Sequence, residues 1–168
     1  MRQIGEPRKP GQRYTRRPGA YAIIARGSQL LLTEQRASQL ELQLPGGGID
    51  PGETPVQALH REVYEETGYR IRHLQRLGTY QRFTYMPEYS MWAHKICHIY
   101  LAAPALRKCD PPEPGHRVIW MPAQKALFEL TARGDRLMLS RALGYRKPPA
   151  SSRPLRHVGF RGERWSFD

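Results

Sequence analysis

Two apolar runs, YAIIA and QLLL, flank Gly27-Ser28, and this pattern predicts a β-hairpin over GAYAIIARGSQLLLTEQR. LQLPGGGIDPGE follows as a short extended piece running into a glycine-rich loop. Thr54 to Thr67 then reads as a helix with complete punctuation. Thr54 fits the N-cap, Pro55 the first helical position, and Gln57 completes a Thr-x-x-Gln capping box, while Gly68 stands where a helix-ending glycine belongs. Apolar positions Val56, Leu59 and Val63 form a stripe expected to face a core.

Strand-like runs come next, around Leu74–Tyr85, Met91–Ala102 and Val118–Met121. KCDPPEPGH, with three prolines and a glycine, is a loop between the last two. Residues 122–144 read as one or two helices broken at Gly134. Strands, helix, strands and helices in this order predict an α/β or α+β domain without internal repeats. Residues 1–18, with Pro7, Pro10 and Pro18, read as an irregular basic lead-in. Residues 145–168 read as a polar Pro/Arg-rich tail that could dock through Phe160 or Trp165. The expected organisation is thus lead-in 1–18, domain 19–144 and tail 145–168, which suits a chain of 168 residues.

Composition narrows the class. The longest apolar runs are too short to span a bilayer, and MRQIGEPRKP has no apolar stretch of the kind a secretory signal needs. Two cysteines, Cys97 and Cys109, without a CxxC predict a reduced, cytoplasmic protein. The formal net charge is +12, but it is concentrated at the ends: residues 1–18 carry +5 and residues 133–168 carry +6, leaving +1 between them. Such ends could attract RNA or another polyanion, or simply keep the chain dissolved.

Five of the eleven acids in residues 19–132 lie between Asp50 and Glu66. On the predicted helix Glu62, Glu65 and Glu66 share a face, and a like-charged i,i+4 pair costs about 0.2–0.5 kcal/mol even when exposed. Arg61 can offset Glu65, which leaves Glu62 and Glu66 facing one another a turn apart. Carboxylates so placed suit a hard divalent cation shared with substrate phosphates. The glycine loop feeding the helix N-terminus suits an anion.

The stretch GGIDPGETPVQALHREVYEETGY, Gly47 to Tyr69, resembles the Nudix box, G-x5-E-x7-R-E-U-x-E-E-x-G-U, with U a bulky aliphatic residue. Gly47, Glu53, Arg61, Glu62, Val63, Glu65, Glu66 and Gly68 fall on the pattern; Tyr69 departs from it at a packing position. The resemblance implies a Nudix-type α/β/α sandwich with a mixed sheet. It also implies hydrolysis of a nucleoside diphosphate linked to another moiety, with Mg²⁺ or Mn²⁺ as cofactor. On the same resemblance Gly46, Glu62, Glu65 and Glu66 would hold the metal, Gly46 through its carbonyl. Glu65 could also act in acid/base transfer, Arg61 would hold the glutamates, and Glu53, Gly47 and Gly68 would support the site. A later-loop base would be Glu113, with Glu88 and His116 as alternatives.

The box does not name the substrate. Tyr80, Phe83, Tyr85, Tyr89 and Trp92 could stack a base or pack between strands. In the family a tyrosine near the position of Tyr85 goes with dinucleoside polyphosphate hydrolases and a proline with ADP-ribose hydrolases; Pro87, two residues on, leaves that marker divided. His94 and His98 face one side of a strand but lack further ligands at zinc spacing, so they read as structural. The competing functions are turnover of a small nucleotide, removal of pyrophosphate from an RNA 5′ end held by the basic ends, and nucleotide binding without catalysis. A homodimer is compatible with each.

Overall fold

A computed structural model describes residues 1–36, 40–145, 158–161 and 164–167, the last two segments as backbone. In chain order the first elements are β1 (Arg2–Gln3), β2 (Thr15–Arg26), β3 (Gln29–Arg36), β4 (Leu40–Gln43), β5 (Gly46–Gly48) and α1 (Pro55–Thr67). Then come β6 (Tyr69–Met86), β7 (Met91–Arg107), β8 (His116–Pro122), α2 (Ala123–Glu129), α3 (Arg133–Ala142), β9 (Val158–Arg161) and β10 (Arg164–Phe167).

The expected hairpin forms between β2 and β3, with Arg26 opposite Gln29. Among the described residues β1 to β8 make one mixed sheet in the order β1-β6-β7-β2-β3-β4. β5 also pairs with β2, and β8 also pairs with β3. β2 runs parallel to β7, while β6 and β7 form an antiparallel ribbon. β2 is buried from Gly19 to Ala25 on both faces, as a central strand between two helical layers should be. Leu59 and Val63 of α1 pack on one face with Ala20, Ala22, Ile24, Leu31 and Tyr100. Ile23, Leu30, Leu32, Tyr80 and Ile99 meet Leu127 of α2 and Leu139 of α3 on the other. This is the expected α/β/α sandwich with a mixed sheet. No helix among the described residues is long and apolar enough to cross a membrane.

α1 forms as its caps require. The Thr54 hydroxyl accepts from the Gln57 N–H at 3.3 Å, the Gln57 side chain accepts from the Thr54 N–H at 2.8 Å, and Gly68 closes the helix at φ 71°. A cap of this kind contributes about 1 kcal/mol.

Four local expectations change. Val56 is exposed, so the apolar stripe is Leu59 and Val63 joined by Ala58 and Thr67. Val56 stands in the first turn of the helix, and periodicity alone does not tell such a position from a core one. The lead-in is partly ordered: β1 pairs with β6, Ile4 is buried beside it, and β2 begins at Thr15. The tail includes a hairpin of β9 and β10 with Trp165 opposite Phe160; their side chains and residues 146–157 lie outside the described residues.

Finally, the break between the last helices falls at Leu130–Ala132. Gly134 is instead buried within α3, where a Cβ would run into the Tyr80 ring. That close approach lets the Tyr80 hydroxyl donate to Asp135 at 2.7 Å. Gly134→Ala is therefore expected to lower unfolding free energy by about 1–3 kcal/mol despite alanine's better helix propensity, as measured by urea denaturation.

Candidate active site

Arg61 projects from the middle of α1 toward the loop that precedes the helix. Its Nε and Nη2 donate to the two oxygens of Glu53 at 2.7 and 2.8 Å, a bidentate fork. Nη2 also donates to the Gly48 carbonyl at 3.0 Å, and Nη1 donates to Glu62 at 2.8 Å and Glu65 at 3.1 Å. Glu53 accepts from the Asp50 N–H at 3.0 Å as well. This double hold, the Arg61 fork first, keeps the Glu53 carboxyl down at about 2.

The distribution of counter-charge differs from the expected one. Arg61 serves Glu62 as well as Glu65, so Glu66 alone lacks a cation on its own helix. Its carboxylate is buried, accepting only the Gly46 N–H, at 2.9 Å. Burial pushes this carboxyl well above the usual range, and neighbouring Glu62 and Glu113 add to the effect. Burial also raises Glu62, against the pull of Arg61. Gly47 leaves the space that the Glu62 carboxylate fills, because a Cβ there would collide with it.

The loop before β8 completes the cluster. The Lys108 N–H donates to Gly68 O at 2.8 Å and the Glu113 N–H to Glu65 O at 2.9 Å, so backbone bonds pin the loop to the end of α1. His116 is enclosed, with Nε2 3.5 Å from Glu66 and Nδ1 3.6 Å from Glu113. That Nδ1 is buried without a hydrogen-bond partner. Ligand atoms of Glu66, Glu113 and His116 all lie within 4.8 Å of one another. A buried, uncompensated carboxylate beside an orphaned imidazole nitrogen and a further carboxylate is a donor set that fits a hard divalent cation.

These side chains line a cleft of about 350 Å³ that continues past Gly46–Gly48 to Arg17, Lys95 and Tyr89. Glu53 and Gly68 are not among the residues lining the cleft, whereas Glu88 is. Tyr85 is outside the lining and packs on Trp92 with ring centroids 5.4 Å apart; Tyr89 takes the place in the cleft. Phe83 stacks on His94, and Tyr80 is buried in the core. His94 and His98 sit beside Gln81 and Thr79, apart from any metal cluster among the described residues. Arg17 and Lys95 escaped the sequence reading as a pair, since only strand pairing brings them together.

The profile of the NUDIX domain family matches residues 15–142, with the acidic helix and the late loop inside it. The chain belongs to this family. Among curated Nudix relatives, an RNA pyrophosphohydrolase of Psychromonas ingrahamii is 43% identical over 63 residues, covering 38% of this chain and 35% of that protein. A CMP-5'-(N-acetyl-N-hydroxy-3-aminopropyl)phosphonate hydrolase of Streptomyces rubellomurinus is 33% identical over 138 residues, covering 78% and 64%. The chain thus spans less than two thirds of the length of these relatives. A solved MutT NUDIX hydrolase from Burkholderia pseudomallei aligns with TM-score 0.60 and 25% identity, over 75% of this chain and 97% of that one.

The isolated charge of Glu66 has a measurable cost in this Nudix domain. A carboxyl raised by burial makes the folded state less stable as pH climbs from its ordinary value near 4.5 through the raised one. Glu66→Gln is therefore expected to stabilise the metal-free protein by about 1 kcal/mol at pH 7.5, with the gain shrinking toward pH 5. Thermal unfolding in EDTA at both pH values checks this, and equal or lower stability of the variant at pH 7.5 would contradict it.

Proposed function

We propose that the protein hydrolyses the pyrophosphate linkage of a nucleoside diphosphate joined to another moiety, through attack of water at phosphorus and with Mg²⁺ or Mn²⁺ as cofactor. The observation that carries this reading is the convergence of Glu62, Glu65, Glu66, Glu113 and His116 on one cleft, with buried Glu66 in no salt bridge to a lysine or arginine among the described residues. In this reading Glu62, Glu65, Glu66 and the Gly46 carbonyl would hold the cation, with His116 beside Glu66. When bound, the cation neutralises phosphate charge and makes water more acidic.

The chain's own groups do the rest. Glu113 is 47% exposed at the mouth of the cleft, so its carboxylate reaches an incoming water and takes its proton. The backbone bond from Glu113 to Glu65 holds that carboxylate at a set distance from the helix. Arg61 orients Glu62 and Glu65 and ties the Gly48 carbonyl to them, so the glycine loop and the helix present one surface to the phosphates. His116 is the alternative base, and the two free cysteines suit a reducing, cytoplasmic setting.

A second reading, removal of pyrophosphate from an RNA 5′ end, draws support from two observations. Curated relatives are named RNA pyrophosphohydrolase, and Arg17 brings part of the basic first segment into the cleft.

The test is a panel of ADP-ribose, dinucleoside polyphosphates, nucleotide sugars, nucleoside triphosphates and 5′-triphosphorylated RNA with Mg²⁺ or Mn²⁺, scored for released phosphate products. Metal-dependent turnover of at least one class is expected. Glu113→Gln should lower kcat by about 10²-fold or more, whereas Glu88→Gln should change it by less than about threefold. No turnover across the panel would sink the proposal, and full activity of Glu113→Gln would move the base to His116.

A further inference from the structure

Parallel pairing of β2 with β7 sets Arg17 opposite Lys95, and antiparallel pairing of β7 with β6 sets Lys95 opposite Arg82. Partners in register share a face of the sheet, so three cations occupy one row across three adjacent strands. Like charges placed directly opposite repel. Among the described residues none of the three has a carboxylate within ion-pair distance.

Aromatic rings hold two of them instead. The Arg17 guanidinium lies over Tyr89 at 5.0 Å from the ring centroid, and Lys95 Nζ is 5.6 Å from the Tyr21 centroid and also hydrogen-bonds the Tyr21 side chain. A ring fixes a cation in place but does not neutralise it. Arg82, behind them, has a buried Nε without a hydrogen-bond partner. Asp135, tied to the Tyr80 hydroxyl, feels both Arg82 and Lys95, and Lys95 also acts on Glu66, while Arg17 and Lys95 line the cleft. Glu88 also lines the cleft and pairs with neither.

The cleft is therefore lined by the acids of α1 and the late loop and, on the neighbouring strands, by Arg17 and Lys95. We propose that Arg17 and Lys95 form a phosphate subsite separate from the metal-binding acids, which receives a phosphate beyond the cleaved pyrophosphate. This rests on the pyrophosphohydrolase reading and deepens it. Substrates with negative charge past the scissile group are selected over diphosphates capped by a neutral sugar. The extra phosphate can come from the polyphosphate chain of a free nucleotide or from the first phosphodiester of an RNA, since both offer the same anionic oxygens.

Calorimetry in EDTA with inorganic tripolyphosphate isolates the subsite from the metal and from turnover. Arg17→Gln and Lys95→Met should each weaken binding at least tenfold relative to wild type, while Arg17→Lys and Lys95→Arg stay within threefold. Thermal unfolding of each variant shows that it is folded. With metal present, the loss of kcat/KM in the neutral variants should be at least five times larger for a nucleoside triphosphate than for ADP-ribose. A still larger loss on a 5′-triphosphorylated oligoribonucleotide assigns the phosphate to RNA, and an equal one assigns it to the polyphosphate chain; both support the subsite. Unchanged tripolyphosphate binding in both neutral variants, or equal losses on triphosphate and ADP-ribose, would overturn it. A wild type that binds through these cations yet hydrolyses nothing on the panel would refute the activity and leave the anion subsite standing.

Discussion

One guanidinium keeps the acidic end of the cleft in order. Arg61 grips Glu53 with a fork, takes Glu62 and Glu65 with its remaining N–H groups and reaches the Gly48 carbonyl. Loop, helix start and helix face are thereby fixed to one planar group. Lysine could supply the charge but not five N–H donors in set directions. Because three glutamates share this single cation, their mutual repulsion is offset without a separate base for each. Arg61 lines the cleft together with Glu62 and Glu65.

Glu66 is the exception, and its isolation follows from the fold. The helix turns its Leu59 and Val63 side to the sheet, and Glu66 lies at the border of that buried side, out of reach of Arg61. The N–H of Gly46, at the start of β5, donates to it, and His116 Nε2 lies 3.5 Å away. The site thus contains one group whose charge is costly until something positive arrives. The cationic row on the neighbouring strands, built by strand register, has the mirror-image deficit.

What the sequence disclosed was mostly local. Thr54, Pro55, Gln57 and Gly68 announce α1 because a cap is a contact between residues a few positions apart, and the box residues are spaced by helix geometry. Val56 and Gly134 misled because their settings depend on the sheet edge and on the Tyr80 ring, which lie far away in the chain. β6 starts at Tyr69, earlier than expected, although buried Tyr69 and Ile71 alternate with exposed Arg70; that period-two signal was present but short. Arg17 and Lys95 become neighbours only through a parallel pairing of distant strands, which no local pattern encodes. Glu113 was legible as a loop acid, whereas its seat against the helix end was not.

Gly68 ties these scales together. Its left-handed backbone lets the carbonyl of Cys109 press where any Cβ would stand, and the bonds from Lys108 and Glu113 to α1 use main-chain atoms alone. This backbone latch does not depend on the side chains of the loop between, although Cys109 Sγ adds a contact to the Tyr64 hydroxyl. The segment carrying Glu113 can therefore be rewritten in sequence, and its outward surface reshaped for a different substrate, without dislodging the acid. Changes of length would break the latch where changes of letter would not. The fold in this way separates the part of the site that must be kept from the part that is free to diversify.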